Sequence, residues 1–567
     1  MRLFVIVAGL FFLLAYPLFS QDTNSGSFGS DILTTGEIQP GMKGYGLTTL
    51  KGNEIVRYPV EIISVMGNRG TYPHFRSILI RIDDDEFPDN WVGFNSDMAG
   101  SPIYVNGRLI GAVSTFYDWS MQEIAQVRPI EEMHMISDRQ RNHNENDQAF
   151  QRKTLLDNND AEPKNLQVDK SGLDNSANQQ SNSIRPLRPG DAVAAIWSIG
   201  DYTQYEMGNI TYISDNNEFY AFGKSVFNRA GTINAPLVRA DVLNTMEGFD
   251  RNFQVANPEL IVGTIYQDRS AGVYGKLGVA PKLIPVETTI HDVAYGKNYK
   301  TLSMVLNDGR FYPELVVSAV SHSIRKQLDV SWEGTIDFGY KITYQVDSGS
   351  QKIFGARDMF FQEDIPTHAV ADLELTLNAL ADNDFGKIEL QNVEVELFWI
   401  PSRETGRIES FEFVGSESLK MEEDRFIVKP GDTIKLKVGI RPFKKNLIEM
   451  DFYLNIDDEF PTGDAVIQIR GGSYLLPKVH DITEEHLKEI EEKIKNSVKI
   501  LTPDPPAGLE DLLSSITKDE PSNQLILELI STATTPLRGD ELYNQVDKSN
   551  LEYVIYGFDS ILLRVVE

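Results

Sequence analysis

The sequence predicts a mainly β protein with several domains. Most of the chain consists of short apolar runs bounded by Gly, Pro or Asn, the pattern of strands joined by tight turns. Helix-like apolar spacing stands out only near the C-terminus. The chain has 567 residues, 41% of them hydrophobic and 24% charged, so it is long and apolar enough to form more than one hydrophobic core.

The first element, residues 1–20, has the features of a secretory signal peptide. Arg2 precedes the apolar run Leu3–Ala15, and Pro17 and the small residue Ser20 follow it. We expect cleavage near Ser20 and a mature protein in the periplasm, at the cell surface or outside the cell. The alternative, a membrane anchor, needs about 20 apolar residues. No other segment has the composition of a membrane span.

The chain is strongly acidic and contains no cysteine. Its formal net charge is −30. Nucleic acids and anionic membranes are bound through basic patches, so we expect neither as a partner. The absence of cysteine excludes disulfides, a thiol nucleophile, thiolate zinc sites and lipid attachment to a cysteine. Burial of apolar side chains must therefore hold the fold together.

Residues 21–136 form the first predicted domain segment after the signal. An Asn106-Gly107 pair supplies the positive φ of a tight hairpin turn. The predicted strands are Val60–Val65, Ser77–Ile82, Ile103–Val105 and Leu109–Val113.

Residues 137–189 are rich in Asn, Gln, Asp, Ser and Lys and have no apolar period, which predicts a flexible linker or a surface insertion. The β pattern then returns over 190–280. The predicted strands there are Val193–Ile199, Gly208–Ile213, Phe219–Phe222 and Leu260–Tyr266.

Residues 281–475 predict one or two β-sandwich-like domains, with turns at Pro430-Gly431-Asp432 and Pro461-Thr462-Gly463. The predicted strands are Leu373–Leu377, Val393–Trp399, Thr433–Ile440 and Met450–Ile456. Residues 476–567 predict a small α+β region. Its elements are helices over Glu484–Asn496 and near Leu509–Ile516, and a last strand around Ser560–Val566.

The segment Asn95–Ile103, with sequence NSDMAGSPI, is the strongest candidate for a functional loop. A tight glycine-containing turn between strands can present a serine hydroxyl while its backbone N–H groups form an oxyanion hole. Here Gly100 permits such a turn, and Pro102 and the strand that follows hold it. A turn before a hairpin is common in β proteins, so this outline alone indicates no function.

Residues 97–113 resemble the nucleophile loop of SpoIVB-type serine peptidases, which have a trypsin-like fold. That loop reads Gly-Met-Ser-Gly-Ser-Pro-Ile, followed by an Asn-Gly hairpin and a Gly-Ala-Val strand. The family nucleophile, the first serine of the motif, falls on Ala99. Ser101 matches the second serine, which is not the nucleophile. The resemblance implies a trypsin-like double β-barrel without its attacking hydroxyl.

The upstream segments Pro40–Leu47 and Tyr58–Ile63 resemble the strands that enter the same subdomain of the family. The family's acidic triad residue aligns with Asp84, or with Asp83 or Asp85 if the register shifts. The alternative reading of this acidic run is a solvated turn.

The family's histidine turn resembles Tyr220–Ser225, preceded by Gly208–Ile213, and places Lys224 at the histidine position. Gly263–Gly272 also resembles this subdomain. Since these segments follow the serine-loop segment here, the resemblance implies a permuted order, with 137–189 joining the halves. The likeness covers about 36–136 and 190–280, under half of the chain.

These positions predict a secreted pseudoenzyme that binds a polypeptide or cell-envelope partner. An alanine methyl cannot attack a carbonyl carbon, and triad residues act as a unit. Two alternatives stay open. Ser101 with Lys224 could form a Ser–Lys dyad in an active serine endopeptidase, although Ser101 lies two residues beyond the nucleophile position. The chain could also be a structural envelope protein.

We expect no metal and no cofactor. The eight histidines form no helical metal pair, and the six-residue spacing of His480 and His486 is poor for two ligands. His74 could approach the acidic run, but a lone loop histidine is more often a surface residue. The runs Asp83–Glu86 and Asp457–Glu459 lack the spacing of an EF-hand loop.

Overall fold

The structure is a computed structural model that describes most of the chain. The described ranges are 31–67, 76–82, 91–117, 122–138 with 140, 185–249, 251–328, 333–347, 349–414, 421–422, 425–472, 506–516, 520–534 and 542–566. Several predictions lie outside these residues and stay predictions. They are the signal peptide 1–20, the acidic position Asp84, most of the linker, and the helix Glu484–Asn496.

The first barrel is a closed sheet of six strands. Its strands are β1 (Lys43–Lys51), β2 (Glu54–Met66), β3 (Ser77–Ile82), β4 (Pro102–Val105), β5 (Arg108–Phe116) and β6 (Ile124–Pro129). The strand order is β1-β2-β3-β6-β5-β4, closed by pairing of β4 with β1. Alternate residues of β2 point inward, and Tyr58, Val60 and Ile62 are fully buried. This is the period of a strand with one face on a core.

The β4–β5 hairpin forms at the predicted Asn106-Gly107 turn. Asn106 has φ 52° and Gly107 has φ 74°, which are the values that a type I′ turn requires. The turn fixes the register of the hairpin, which pairs Val105 with Arg108 and Pro102 with Ala112. The loop Asn95–Ser101, called the serine-like loop below, leads directly into this hairpin.

The second barrel follows the linker and also has six strands. They are β7 (Ala192–Gly200), β8 (Gln204–Ile213), β9 (Glu218–Ala221), β10 (Gly231–Met246), β11 (Phe253–Arg269) and β12 (Gly272–Leu277). Their order is β10-β11-β12-β9-β8-β7, and β10 also pairs with β7, for example at Leu237 and Ala195. The predicted double-barrel arrangement is therefore confirmed.

The two barrels are joined by hydrogen bonds as well as by packing. Gly52 and Val242 exchange both backbone bonds, at 2.6 and 3.2 Å. Thr245 Oγ1 donates to the Leu50 carbonyl at 2.8 Å, and Gln254 Nε2 donates to the Thr49 carbonyl at 2.9 Å. Helix α1, residues 130–138, leaves the first barrel and packs its buried side chains against the second.

The sheet of the second barrel continues into a helix-backed layer. The added strands are β13 (Leu283–Asp292), β14 (Lys297–Leu306), β15 (Gly334–Val346), β16 (Gln351–Gln362) and β17 (Ile388–Ile400). From β7 the order runs β14-β13-β17-β15-β16, and only β13 and β17 pair in parallel. The helices are α2 (Tyr312–Gln327), α3 (Ile365–His368) and α4 (Ala371–Ala381), whose apolar faces share the core of this sheet.

One strand prediction in this layer is wrong. Leu373–Leu377 belongs to helix α4 and not to a strand. Leu373, Leu377 and Leu380 are fully buried whereas Leu375 is 55% exposed, which is helical and not alternating spacing. Helix α2 was not predicted at all.

Two further sheets form a β-sandwich. It takes its strands from the end of 281–475, the predicted sandwich segment, and from 476–567, the predicted α+β region, whereas residues 283–400 belong to the helix-backed layer. Their strands are β18 (Thr405–Phe413), β19 (Met421–Glu422), β20 (Arg425–Val428), β21 (Thr433–Pro442), β22 (Ile448–Asn455), β23 (Gly463–Gly471), β24 (Gln524–Thr534), β25 (Leu542–Asn550), β26 (Val554–Tyr556) and β27 (Phe558–Val565). The sheets have the orders β22-β21-β18-β26 and β19-β20-β27-β23-β24-β25 and enclose one core.

Helix α5 (Leu509–Ile516) matches its predicted bounds. Its Leu509 and Leu513 pack into the core of the helix-backed layer. Among the described residues, none of the helices has the length and apolar content needed to cross a bilayer.

Candidate functional site

The serine-like loop is a single short turn that is bonded to itself. Asn95 caps a 3-10 helix, Ser96–Met98, by accepting the Asp97 N–H on its side-chain oxygen at 3.1 Å. Ala99 follows with an extended ψ of 131°, and Gly100 has φ 95°. A positive φ at this point is what glycine provides. The loop thus has a defined conformation set by its own sequence.

Every backbone N–H from Asp97 to Ser101 has an acceptor within the first barrel. Besides the Asp97 bond, Met98 N donates to Asn95 O at 3.1 Å and Ala99 N to Ser96 O at 3.2 Å. Gly100 N donates to Val113 O at 2.8 Å, and Ser101 N to Met98 O at 3.0 Å. In a trypsin-like peptidase the oxyanion hole consists of the N–H groups of the nucleophile and of the residue two before it. The corresponding N–H groups here, on Ala99 and Asp97, are already bonded.

The second barrel covers the nucleophile position. Ala99 is fully buried, and its carbonyl oxygen accepts the Asn209 N–H at 2.7 Å. Thr211 Oγ1 donates to Gly100 O at 2.8 Å. A Cβ on Gly100 would lie 2.2 Å from Asn209 O and 2.5 Å from Phe222 N. The segments that resemble the two halves of the family fold therefore meet at this loop.

Ser101 is also fully buried. Its Oγ donates to the Met98 carbonyl oxygen at 2.7 Å, and its own carbonyl accepts the Val113 N–H at 3.0 Å. Both bonds hold the turn in place. The Ser101 hydroxyl therefore closes the loop.

Lys224 lies on the second barrel just after the turn that meets the loop. Its Nζ is 2.8 Å from Glu206 Oε1, and its side chain is 30% exposed. The charge of Lys224 also acts on the carboxylate of Asp97. The structure thus brings the segments of Ala99 and Lys224 together, and the ion pair of the lysine is with a glutamate of β8.

Asp97 is a residue of this site to which sequence reasoning gave no role. Its Oδ2 accepts the backbone N–H of Gln254 on β11 at 2.7 Å. Burial raises the pKa of the Asp97 carboxyl, although the Gln254 bond and the charges of Lys224 and Arg251 act in the opposite direction. The signal was present in the sequence, because Asp97 stands where the family motif has glycine.

The turn within Tyr220–Ser225, which resembles the histidine turn of the family and is called the histidine-like turn, contains two successive residues with positive φ. Phe222 and Gly223 have φ values of 66° and 59°, and the left-handed region is costly for a bulky residue such as phenylalanine. Phe222 is fully buried, and a Cβ on Gly223 would lie 2.9 Å from Val113 O. The turn is thus held in this conformation by its packing on the first barrel.

A buried carboxylate organises the residues that follow this turn. Asp268 on β11 is fully buried and accepts the Ser225 hydroxyl at 2.8 Å. It also accepts the backbone N–H groups of Val226, Phe227 and Ala230 at 2.8–3.1 Å. Because four donors satisfy it, this carboxylate has a structural role.

Neither candidate nucleophile position in the described loop carries an exposed hydroxyl. Position 99 carries a methyl group, and the Ser101 hydroxyl is buried and bonded within the loop. Across the described ranges no three His, Asp or Glu side chains are grouped as metal ligands. The loop is part of the packed contact between the two barrels.

The comparison with protein families finds a similarity over most of the first barrel. A family model described as SpoIVB peptidase S55 matches residues 21–120. The match includes the serine-like loop and confirms the resemblance to SpoIVB-type peptidases over this segment. It does not reach 190–280, so the histidine half and the permuted order stay predictions. No curated protein and no solved structure matches the chain.

Proposed function

We propose that this protein is a secreted, catalytically inactive relative of SpoIVB-type peptidases that binds a polypeptide or cell-envelope partner. The observation that carries the proposal is the bonding of the Asp97 and Ala99 N–H groups inside a loop whose nucleophile position is a buried methyl. Catalysis of acyl transfer needs both a nucleophile and free donors for the developing oxyanion.

The polypeptide-binding part of the proposal has separate support. Chains rich in β-structure bind extended segments by strand addition at a sheet edge. The chain has such edges outside its closed barrels, for example β16 and β22. Its net charge of −30 disfavours nucleic acid and anionic membrane surfaces as partners.

The alternative enzyme would use Ser101 with Lys224. A dyad requires the lysine amine within hydrogen-bond reach of the serine hydroxyl, about 3 Å. The bonds of Ser101 Oγ to Met98 O and of Lys224 Nζ to Glu206 favour the inactive reading.

Labelling with a fluorophosphonate probe tests the inactive reading. The full chain and its Ser101→Ala variant are treated with the probe, and casein hydrolysis is measured in parallel. We expect no labelling and no hydrolysis by either protein. If the probe labels the full chain and the Ser101→Ala substitution abolishes the labelling, the proposal is wrong and the protein is an active Ser–Lys peptidase.

A further inference from the structure

The outer strand β16 is an open edge of the largest sheet. It pairs with β15 alone, in antiparallel register. The paired residues run from Gln351 opposite Gln345 to Gln362 opposite Gly334. In an antiparallel pair, alternate residues direct N–H and C=O groups away from the partner strand. Within the described part of the chain, the backbone of Gln351–Arg357 has no hydrogen-bonded partner on its outer side. Such an edge is a template for another strand.

The first half of β16 is its more exposed half. None of the residues Gln351–Asp358 is buried, and Ile353 is 62% exposed. Beyond this point the strand meets the sandwich, where Ser522 N donates to Asp358 Oδ1 at 2.6 Å and the Arg403 guanidinium lies 4.9 Å from the Phe361 ring. The open edge is thus about seven residues long, which is a typical strand length.

A cavity on the helix-covered face of the sheet begins at the end of this edge, at Ala356 and Arg357, and continues along β16 to Gln362. It measures about 230 Å³, and Phe338, Phe360 and Ala369 contribute apolar walls. His368 and Ala371 line the side formed by helices α3 and α4. Because this volume is below the roughly 300–1,000 Å³ of small-molecule sites, it suits a single side chain.

A shallow trough of about 730 Å³ lies on the opposite face of the same strand. Gly339 and Gly355 line it and have no side chains to fill it. Charged side chains surround the glycines, in the ion pairs Lys341–Glu394 at 3.2 Å and Arg357–Glu396 at 3.3 Å. The trough therefore suits a polar side chain.

We propose that Gln351–Arg357 is a docking edge at which an extended segment of a partner polypeptide adds a strand to the sheet. Successive side chains of a strand point to opposite faces, so an alternating apolar and polar segment places one type in the cavity and the other over the trough. Unpaired backbone groups select a polypeptide and not a small molecule. This inference rests on the polypeptide binding proposed above and names its surface.

Selection from a display library of randomised linear peptides, followed by hydrogen exchange, tests the docking edge. Peptides that bind the full chain should slow amide exchange in Gln351–Arg357. The edge strand β22, Ile448–Asn455, is the internal control, because it also pairs on one side only, and its exchange should not change. We expect enriched peptides to alternate apolar and polar residues.

Two matched variants on helix α4 test the cavity. Ala371 is exposed at the start of the helix and lines the cavity, so Ala371→Trp should fill it and weaken peptide binding at least about ten-fold. Glu374 is exposed on the same helix and does not line it, so Glu374→Trp should leave affinity unchanged. Circular dichroism checks that both variants are folded.

The outcomes separate this inference from the proposed function. Selected peptides that protect β22, another edge or the serine-like loop, or that bind Ala371→Trp normally, overturn the docking edge and leave polypeptide binding intact. Failure to select any peptide overturns both. Concentration-dependent self-association that protects Gln351–Arg357 makes a second copy the occupant, which also overturns the proposal.

Discussion

The N–H of Ala99 donates to the carbonyl oxygen of Ser96, 3.2 Å away, within one turn of 3-10 helix. In an active loop this N–H would face the substrate carbonyl. The proposed loss of activity therefore involves the backbone as well as the absent hydroxyl. Restoring side chains alone should not restore the chemistry.

The first prediction concerns that restoration. The double variant Ala99→Ser with Lys224→His supplies the two triad side chains that the family resemblance implies. We expect the variant to remain unlabelled by a fluorophosphonate and at least about 10⁴-fold slower than an active serine peptidase, because its oxyanion donors stay occupied. Mass spectrometry of the probe adduct is the measurement. An adduct at position 99 would mean that the loop opens.

The second prediction concerns Gly100 and its contact with the second barrel. Gly100→Ala should destabilise the protein by at least about 3 kcal/mol, since φ is 95° and the new Cβ would lie 2.2 Å from Asn209 O. Gly107→Ala is the matched control. It also has a positive φ, 74°, but its Cβ would meet nothing within 4 Å, so the expected cost is about 1 kcal/mol. Urea denaturation compares the two, and equal losses would contradict the contact.

The third prediction concerns Asp268. Asp268→Ala removes the acceptor of one hydroxyl and three backbone N–H groups, and should cost about 3–5 kcal/mol. Asp215→Ala, at an exposed acidic residue of the same barrel, should change stability by less than about 0.5 kcal/mol. Chemical denaturation monitored by tryptophan fluorescence checks both. A small effect at Asp268 would show that the turn after Lys224 does not depend on it.

The fourth prediction concerns the pH dependence of stability at Asp97. Burial raises the pKa of this carboxyl in the folded state, so the folded protein binds the proton more tightly than the unfolded chain. The resulting stabilisation is full at low pH and is lost as the pH rises through the raised pKa. Asparagine can still accept the Gln254 N–H but does not ionise. Asp97→Asn should therefore gain stability relative to the wild type between acidic and neutral pH.

Urea denaturation of both proteins at several pH values measures this difference. The free energy of unfolding of Asp97→Asn minus that of the wild type should increase with pH. A difference that falls with pH would mean that the charges of Lys224 and Arg251 outweigh burial.

The sequence predicted strands well where alternation and turn residues agreed, as in β3 and the Asn106-Gly107 hairpin. It failed at helix α4, because Leu373, Leu375 and Leu377 alternate as in a strand. Only tertiary packing reveals that Leu375 is exposed. Helix α2 contains many β-branched residues, which weaken the helical signal, although Pro313 stands at its first turn.

For the candidate site, the sequence identified the missing hydroxyl at Ala99 but not the closed state of the loop. The Asp97 and Ala99 N–H groups bond locally, to Asn95 and Ser96. The bonds that hold the loop against the rest of the fold involve residues distant in sequence, Val113 of the first barrel and Asn209 of the second, and spacing along the chain does not predict such contacts. Comparison with the family motif shows that Asp97 stands in place of a glycine. It does not predict that the Asp97 carboxylate accepts the Gln254 N–H.

Strand β7 belongs to two layers at once. Its Val193–Ala195 segment closes the second barrel against β10, and its Ser198–Gly200 segment pairs with β14 of the helix-backed layer. Neither layer can melt without exposing one side of this strand. Calorimetry should accordingly record one cooperative heat-absorption peak for both layers, although the sequence suggests a boundary near residue 280.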